Sequence, residues 1–168
     1  MITIIKDANA DSRTCNRDNH KITLSKEQLK VATDRHIEDV GKGMKFFADL
    51  LIKAGKDHDN TKKSSFDEFY DALISDKVKN SDWYEGHITK ERHHLIQRVP
   101  ENVTLIDVFE HLVDCVMAGL GRSGEVFDID IPREVLVQAH ENTVSLLKKN
   151  VKVKEDKKNI LDESVEDE

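Results

Sequence analysis

The stretch Thr104–Gly124, TLIDVFEHLVDCVMAGLGRSG, decides the fold class. Its apolar residues Leu105, Val108, Leu112, Cys115, Val116 and Leu120 recur three and four positions apart, the interval that puts side chains on one face of an α-helix. Thr104 with Asp107 forms a capping pair for the first unpaired amides, and Gly121–Gly124 closes the helix. The same helix carries Asp114 between Val113 and Cys115. An unpaired carboxylate in a core helix is costly, so Asp114 needs a partner and becomes the first candidate functional residue.

Working outward, the same signals repeat. Ser25 with Gln28 opens a helix through Val31, Ile37, Val40, Met44, Phe47 and Leu51 to Ala54, with Gly55 as its stop. Gly41 and Gly43 inside it each cost about 1 kcal/mol against Ala, which predicts a close backbone approach or a bend. Ser65 with Glu68 opens a helix through Phe66, Phe69, Tyr70, Leu73 and Ile74. Trp83–Gln97 reads as a polar, His-rich helix ended by Pro100. Asp130, Ile131 and Pro132 open a last amphipathic helix with the stripe Val135, Leu136, Ala139, Thr143, Leu146 and Leu147. The expected fold is all-α, about five helices over residues 25–150. Before them, residues 1–24 read as irregular apart from a short strand at Ile2–Ile5. After them, residues 151–168 hold 4 Lys against 7 acids and read as a disordered, solvated acidic tail.

Composition narrows the function classes. The 168 residues suit one domain, and 26 basic against 33 acidic residues leave a formal charge of −7. Such a chain has no excess of Lys and Arg to displace counterions along a nucleic acid, so an extended nucleic-acid surface is not expected. No run approaches the ~20 apolar residues of a membrane span, and the start MITIIKDANADS is unlike a signal peptide. Cys15 and Cys115 stand 100 positions apart without metal-type spacing and read as free thiols of a cytoplasmic protein.

The 8 His are the informative feature. His36 lies in the first long helix, His58-Asp59 follows just after it, and His87, His93 and His94 share one segment. Imidazole and carboxylate together suit Zn, Fe, Mn, Co and related divalent ions. Neighbours on a helix diverge by ~100°, so a helical His93-His94 pair would serve two ions, or one ion and a substrate. Each residue has a plainer reading beside this one. His58-Asp59 could be a helix N-cap, Lys62 a solvated lysine, and Trp83 a core anchor. His20, His111 and His140 read as surface or packing residues.

The order His36, His58-Asp59, Asp114 resembles the HD-domain superfamily of metal-dependent phosphohydrolases, whose pattern is a His, a His-Asp pair and a later Asp. Dinuclear branches of that superfamily, including cyclic-dinucleotide phosphodiesterases of the HD-GYP type and di-iron oxygenases, add His between the pair and the last Asp; His87 and His93-His94 fall there. His58-Asp59-x-x-Lys62 is similar to the HDxxK run in which the lysine lies near the substrate phosphate. The GYP run is absent, so cyclic-dinucleotide specificity is not implied. A closer likeness, over about residues 33–122, is to a small bacterial and phage family with HDxxKxxxxEF followed by W, H and HH. Here those letters are His58, Asp59, Lys62, Glu68 and Phe69 (displaced by a position or two), Trp83, His87, His93 and His94.

The resemblance implies an HD-like helical domain and one or two divalent transition-metal ions (Mn, Fe, Zn or Co). It makes His36, His58, Asp59, His87, His93, His94 and Asp114 the candidate ligands, with Asp107 a rival to Asp114 for the last carboxylate. Lys62 and Arg122 are the candidate phosphate contacts, with Arg92 a further one, and Asp59 and Lys62 the candidate catalytic pair. The expected activity is hydrolysis of a nucleotide or similar small phosphoester by a metal-activated water. The alternatives are a non-catalytic helical interaction protein that binds a host protein through an acidic surface, and O₂-dependent di-iron chemistry. The amphipathic last helix could also serve a homodimer.

Overall fold

A computed structural model describes residues 1–6, 25–75 and 78–155 of the chain. The elements run β1 (Ile2–Lys6), α1 (Lys26–Asp57), α2 (Asn60–Ser64), α3 (Phe66–Ile74), a 3-10 turn (Val78–Asn80), α4 (Asp82–Lys90), α5 (Leu105–Ser123), α6 (Arg133–Asn150) and β2 (Val151–Glu155). The fold class is all-α, as the periodicity predicts. Among the described residues, no helix is long and apolar enough to cross a membrane. The chain divides into two compact units, Met1–Phe46 with Leu147–Glu168, and Phe47–Leu146.

In the first unit, β1 and β2 pair in parallel with Ile2 opposite Val151 and Lys6 opposite Glu155. The predicted strand at Ile2–Ile5 is present. Its partner was not anticipated: residues 151–155, read from composition as the start of the acidic tail, are a strand whose Val151 and Val153 alternate with lysines. The remainder of that tail, 156–168, lies outside the described residues, as do the connector of residues 7–24 and its Cys15 and His20. The Ser25–Gln28 capping box is formed: Gln28 N donates to Ser25 Oγ (3.2 Å) and Ser25 N to Gln28 Oε1 (2.9 Å). An added Cβ at Gly41 or Gly43 would meet nothing within 4 Å, so the expected close approach is not there.

In the second unit, Leu95, Val103, Val135 and Ala139 form a buried cluster, with Leu105, Val108 and Ile131 packed against it. Burying a Leu such as Leu95 stabilises by about 2 kcal/mol. Thr143 on α6 stitches this core: its hydroxyl donates to Ala139 O (2.7 Å) and accepts from Leu105 N (2.9 Å) at the start of α5. Three helix ends differ from expectation. Helix α1 runs past Gly55 to Asp57. Ser65 does not cap α3 with its side chain; its hydroxyl donates to Thr61 O (2.8 Å) and accepts from Trp83 Nε1 (2.8 Å). Helix α4 stops at Lys90 rather than Gln97. There Leu95 and Val103 sink into the core and Arg92 reaches Asp107 and Asn102, so long-range contacts override the local helical preference. Residues 91–104 are therefore turns, and His93 and His94 do not stand on a helix.

Helix α5 matches its expected limits. Thr104 N donates to Asp107 Oδ2 (2.6 Å), and Gly124 takes the left-handed φ of 76° that ends the helix. The chain then doubles back so tightly that a Cβ on Gly119 would lie 2.7 Å from Glu125 O.

Candidate metal centre

The centre begins at the corner between α1 and α2. Asp59 is the one non-glycine residue with positive φ among the described residues (φ 53°), a conformation that Asp tolerates better than most side chains. It holds the N-cap position of α2 but makes no side-chain cap bond. Its carboxylate turns instead toward imidazoles: Oδ2 lies 3.5 Å from His58 Nε2, and Oδ1 lies 3.5 Å from His87 Nε2 and 3.7 Å from His93 Nε2. The plain capping reading of His58-Asp59 is therefore not what the fold uses. Asp114, from the middle of α5, closes the other side at 3.4 Å from His58 Nε2 and 3.9 Å from His93 Nε2.

Two sets of donors come within 4.8 Å of one another and could hold a metal ion: His58, His93 and Asp114, and Asp59, His93 and His94. His93 belongs to both and is 1 % exposed. His87 sits beside the second set, its Nε2 2.7 Å from His94 Nε2.

The hydrogen bonds behind the imidazoles decide which nitrogens face inward. Glu110 Oε1 accepts from His58 Nδ1 at 3.0 Å and lies 3.1 Å from His93 Nδ1. The His93 contact is close, but its geometry falls short of a hydrogen bond. With its Nδ1–H given to Glu110, His58 turns Nε2 toward Asp59 and Asp114. His87 follows from a similar deduction. Thr61 has one hydroxyl proton, and Glu91, a carboxylate that only accepts, takes it at 2.6 Å as well as the Thr61 amide at 2.8 Å. The Thr61 oxygen, 2.6 Å from His87 Nδ1, must then accept from that nitrogen, which leaves His87 Nε2 as a lone pair. Two Nε2 atoms so close need a proton or another cation between them. Stacking of Phe69 on Trp83 (4.7 Å) and of Trp83 on His87 (4.9 Å) fixes the ring plane, so Trp83 is a packing anchor.

Electrostatics separates these groups. Burial opposes ionisation of Asp59, but the Lys62 ammonium, with His58 and His93, outweighs it and holds the carboxyl below its usual range. Glu110 is lowered in the same way, its two imidazoles overcoming burial. Burial and the neighbouring His93 and His87 push His94 down to about 4, so it is neutral at pH 7. His87 is lowered chiefly by burial. His93 rises: burial works against its charge, but Glu110, Asp59 and Asp114 prevail.

The residues fit a divalent cation. Asp59 Oδ1, His93 Nδ1 and His93 Nε2 are buried without a hydrogen-bond partner among the described residues, which is costly unless something further satisfies them. The donor set of imidazole and carboxylate, with carboxylates behind the rings, is the kind that holds Zn, Fe, Mn or Co.

Other expected site residues fall elsewhere. His36 stands on the part of α1 in the first unit, α1 being unbroken from Lys26 to Asp57, and it is in neither donor set. Asp107 is occupied: Arg92 grips both its oxygens (2.7 and 2.9 Å), and it caps α5, which removes it as a rival to Asp114 and Arg92 as a phosphate contact. Lys62 is bonded to Asp59 Oδ2, and two of its three N–H donors remain for another acceptor. Arg122 lines a cavity of about 320 Å³ together with His94 and Asp114. His111 supports the turn, its Nδ1 donating to His93 O at 2.8 Å. Sequence reasoning missed Glu110, Thr61 and Glu91. Glu110 could have been found from spacing, since it lies one helical turn before Asp114 on the same face; no local signal marks Thr61 or Glu91.

Comparison with protein-family models, with curated proteins and with solved structures finds no match to this chain.

Proposed function

We propose that the second unit is a metal-dependent phosphohydrolase acting on a nucleotide or similar small phosphoester. The observation that carries this reading is the convergence of ring nitrogens of His58 and His87 on the carboxylates of Asp114 and Asp59, with Glu110 and Thr61 bonded to the outward-facing ring nitrogens. His58, Asp59, His93, His94 and Asp114 would hold the ion, with His87 completing the Asp59 side. When bound, a divalent ion supplies Lewis acidity toward a phosphoryl oxygen and brings the pKa of water near 7.

The chain's own residues do the rest. Lys62 Nζ keeps Asp59 ionised and offers its remaining N–H donors to a non-reacting phosphate oxygen. Arg122, which lines the same cavity as His94 and Asp114, supplies a second positive charge. In the reaction the water oxygen bonds to phosphorus and the ester P–O bond breaks, its electron pair leaving with the alcohol oxygen. The proton lost by water ends on that oxygen, giving alcohol and inorganic phosphate.

The test is incubation of purified protein with Mn²⁺, Co²⁺ or Fe²⁺ and a panel of phosphoesters, with metal content measured in parallel. Phosphate release dependent on metal is the expected result. Bound metal without turnover of any member would overturn the hydrolase reading and direct attention to oxygen consumption with iron.

A further inference from the structure

The centre opens onto a second cavity, and its chemistry is one-sided. A cleft of about 440 Å³ runs between the end of α1 and the middle of α5, a volume ordinary for a small-molecule site. Leu51, Ala54, Phe109, Val113 and Met117 make its wall. Among the described residues, His58, Glu110 and Asp114 make its polar edge, and that edge is the metal centre itself; no Lys or Arg among the described residues lines it. Asp114 borders both this cleft and the cavity that holds Arg122.

From this arrangement we infer that the substrate is a monoester of phosphate with an apolar, ring-sized alcohol, the alcohol seated in the Phe109–Met117 cleft and the phosphoryl group toward Arg122. The inference rests on the phosphohydrolase reading and narrows its substrate. Beyond the ion, a polyphosphate chain running along the cleft would meet only the apolar Leu51–Met117 wall, with no Lys or Arg among the described lining residues to balance its charge, which disfavours a nucleoside triphosphate bound in that direction. An apolar group there removes Leu51, Val113 and Met117 from water and displaces solvent from around the carboxylates, strengthening their hold on a cation. A second copy of the chain is the other conceivable occupant. The cleft argues against it, because one edge is the charged metal centre, whereas dimer interfaces are depleted of charge at their core.

Methyl NMR of the full chain tests the binding directly, because Met117 lies in the wall and Met44 lies on the other unit as an internal control. The protein is labelled at its methionine methyls, dialysed against EDTA and titrated with 1-naphthyl phosphate or inorganic phosphate. The expected result is a saturable shift of the Met117 methyl with 1-naphthyl phosphate alone, weakened about tenfold in Arg122→Gln and in Met117→Lys, the latter followed by tryptophan fluorescence. In metal-loaded protein, kcat/KM for 1-naphthyl phosphate should exceed that for glycerol phosphate by about a hundredfold. A silent Met117 methyl, or equal turnover of the two esters, overturns the inference while leaving a phosphohydrolase. A protein that takes up no metal sinks the hydrolase reading instead, and the methyl titration still reports on the cleft. Sedimentation in which Met117→Lys turns a dimer into a monomer would assign the wall to a second copy and overturn the inference.

Discussion

Two aspartates on α5, seven residues apart, receive opposite treatment from the same helix. Asp107 is 4 % exposed and has every partner a carboxylate wants: both oxygens on Arg92, one also on the Thr104 amide. Asp114 faces ring nitrogens of His58 and His93 at 3.4 and 3.9 Å, longer than the usual hydrogen-bond distance and wide enough for a cation to sit between. The first turn of the helix is finished structure, while its middle turns a carboxylate toward ring nitrogens that could share a cation with it, so the pattern of partners, more than burial, distinguishes the two.

The sharpest way to break this contrast is at Asp59, the residue that closes the centre opposite Asp114. Asp59→Ala should abolish metal binding while circular dichroism stays that of the parent; unchanged metal stoichiometry would remove the assignment. Asp107→Ala should do the reverse. Losing a bidentate Arg partner and a cap is expected to lower stability by about 3 kcal/mol, read from urea denaturation, with metal stoichiometry kept. Glu110→Gln should lower metal affinity about 10- to 100-fold, because an amide orients His58 and His93 less firmly than a carboxylate does. Competition with a chelating dye measures it, and an unchanged affinity would mean that Glu110 is only a surface acid of the cleft.

Acid should act mainly through His94. Its folded pKa of about 4 lies below the ordinary 6.5, so across that window the unfolded chain takes up a proton that the folded chain refuses. The metal-free protein should therefore lose stability as pH falls from 6.5 toward 4. His87 adds to the loss, while His93, raised in the fold, contributes stability below 6.5 that fades as pH rises through its folded pKa. Melting temperatures at pH 7.5 and 5 should fall less in His94→Asn than in the parent. The smallest effect concerns α1: Gly41→Ala should stabilise by about 1 kcal/mol, since nothing lies within 4 Å of the new methyl. At Gly119 the same change would drive a methyl to 2.7 Å from a backbone oxygen and should destabilise instead.

Much of the fold was legible because its signals are local. Thr104, Asp107 and Gly124 bound α5 as read, and Val135, Ala139 and Thr143 are the buried face of α6. Where the reading slipped, a distant contact decided the outcome. Leu95 and Val103 pull residues 91–104 out of helix, and β2 exists only because the far terminus supplies β1. In the centre, His58, Asp59, His93, His94 and Asp114 meet as their chemistry suggested, and His87 stands beside them. His36 does not join either set, because a helical spacing cannot say whether a long helix turns back or runs on. Thr61 and Glu91 were invisible because a chain of side-chain hydrogen bonds has no period.

A crystal soaked in Zn²⁺ or Mn²⁺ and measured across the metal's absorption edge tests the central claim most directly. An anomalous peak within coordination distance of His93, with Asp59 and His94 or with His58 and Asp114 around it, is the result this account predicts. A peak held by other residues, or none in a crystal whose His58, Asp59, His93 and Asp114 keep these positions, would contradict it.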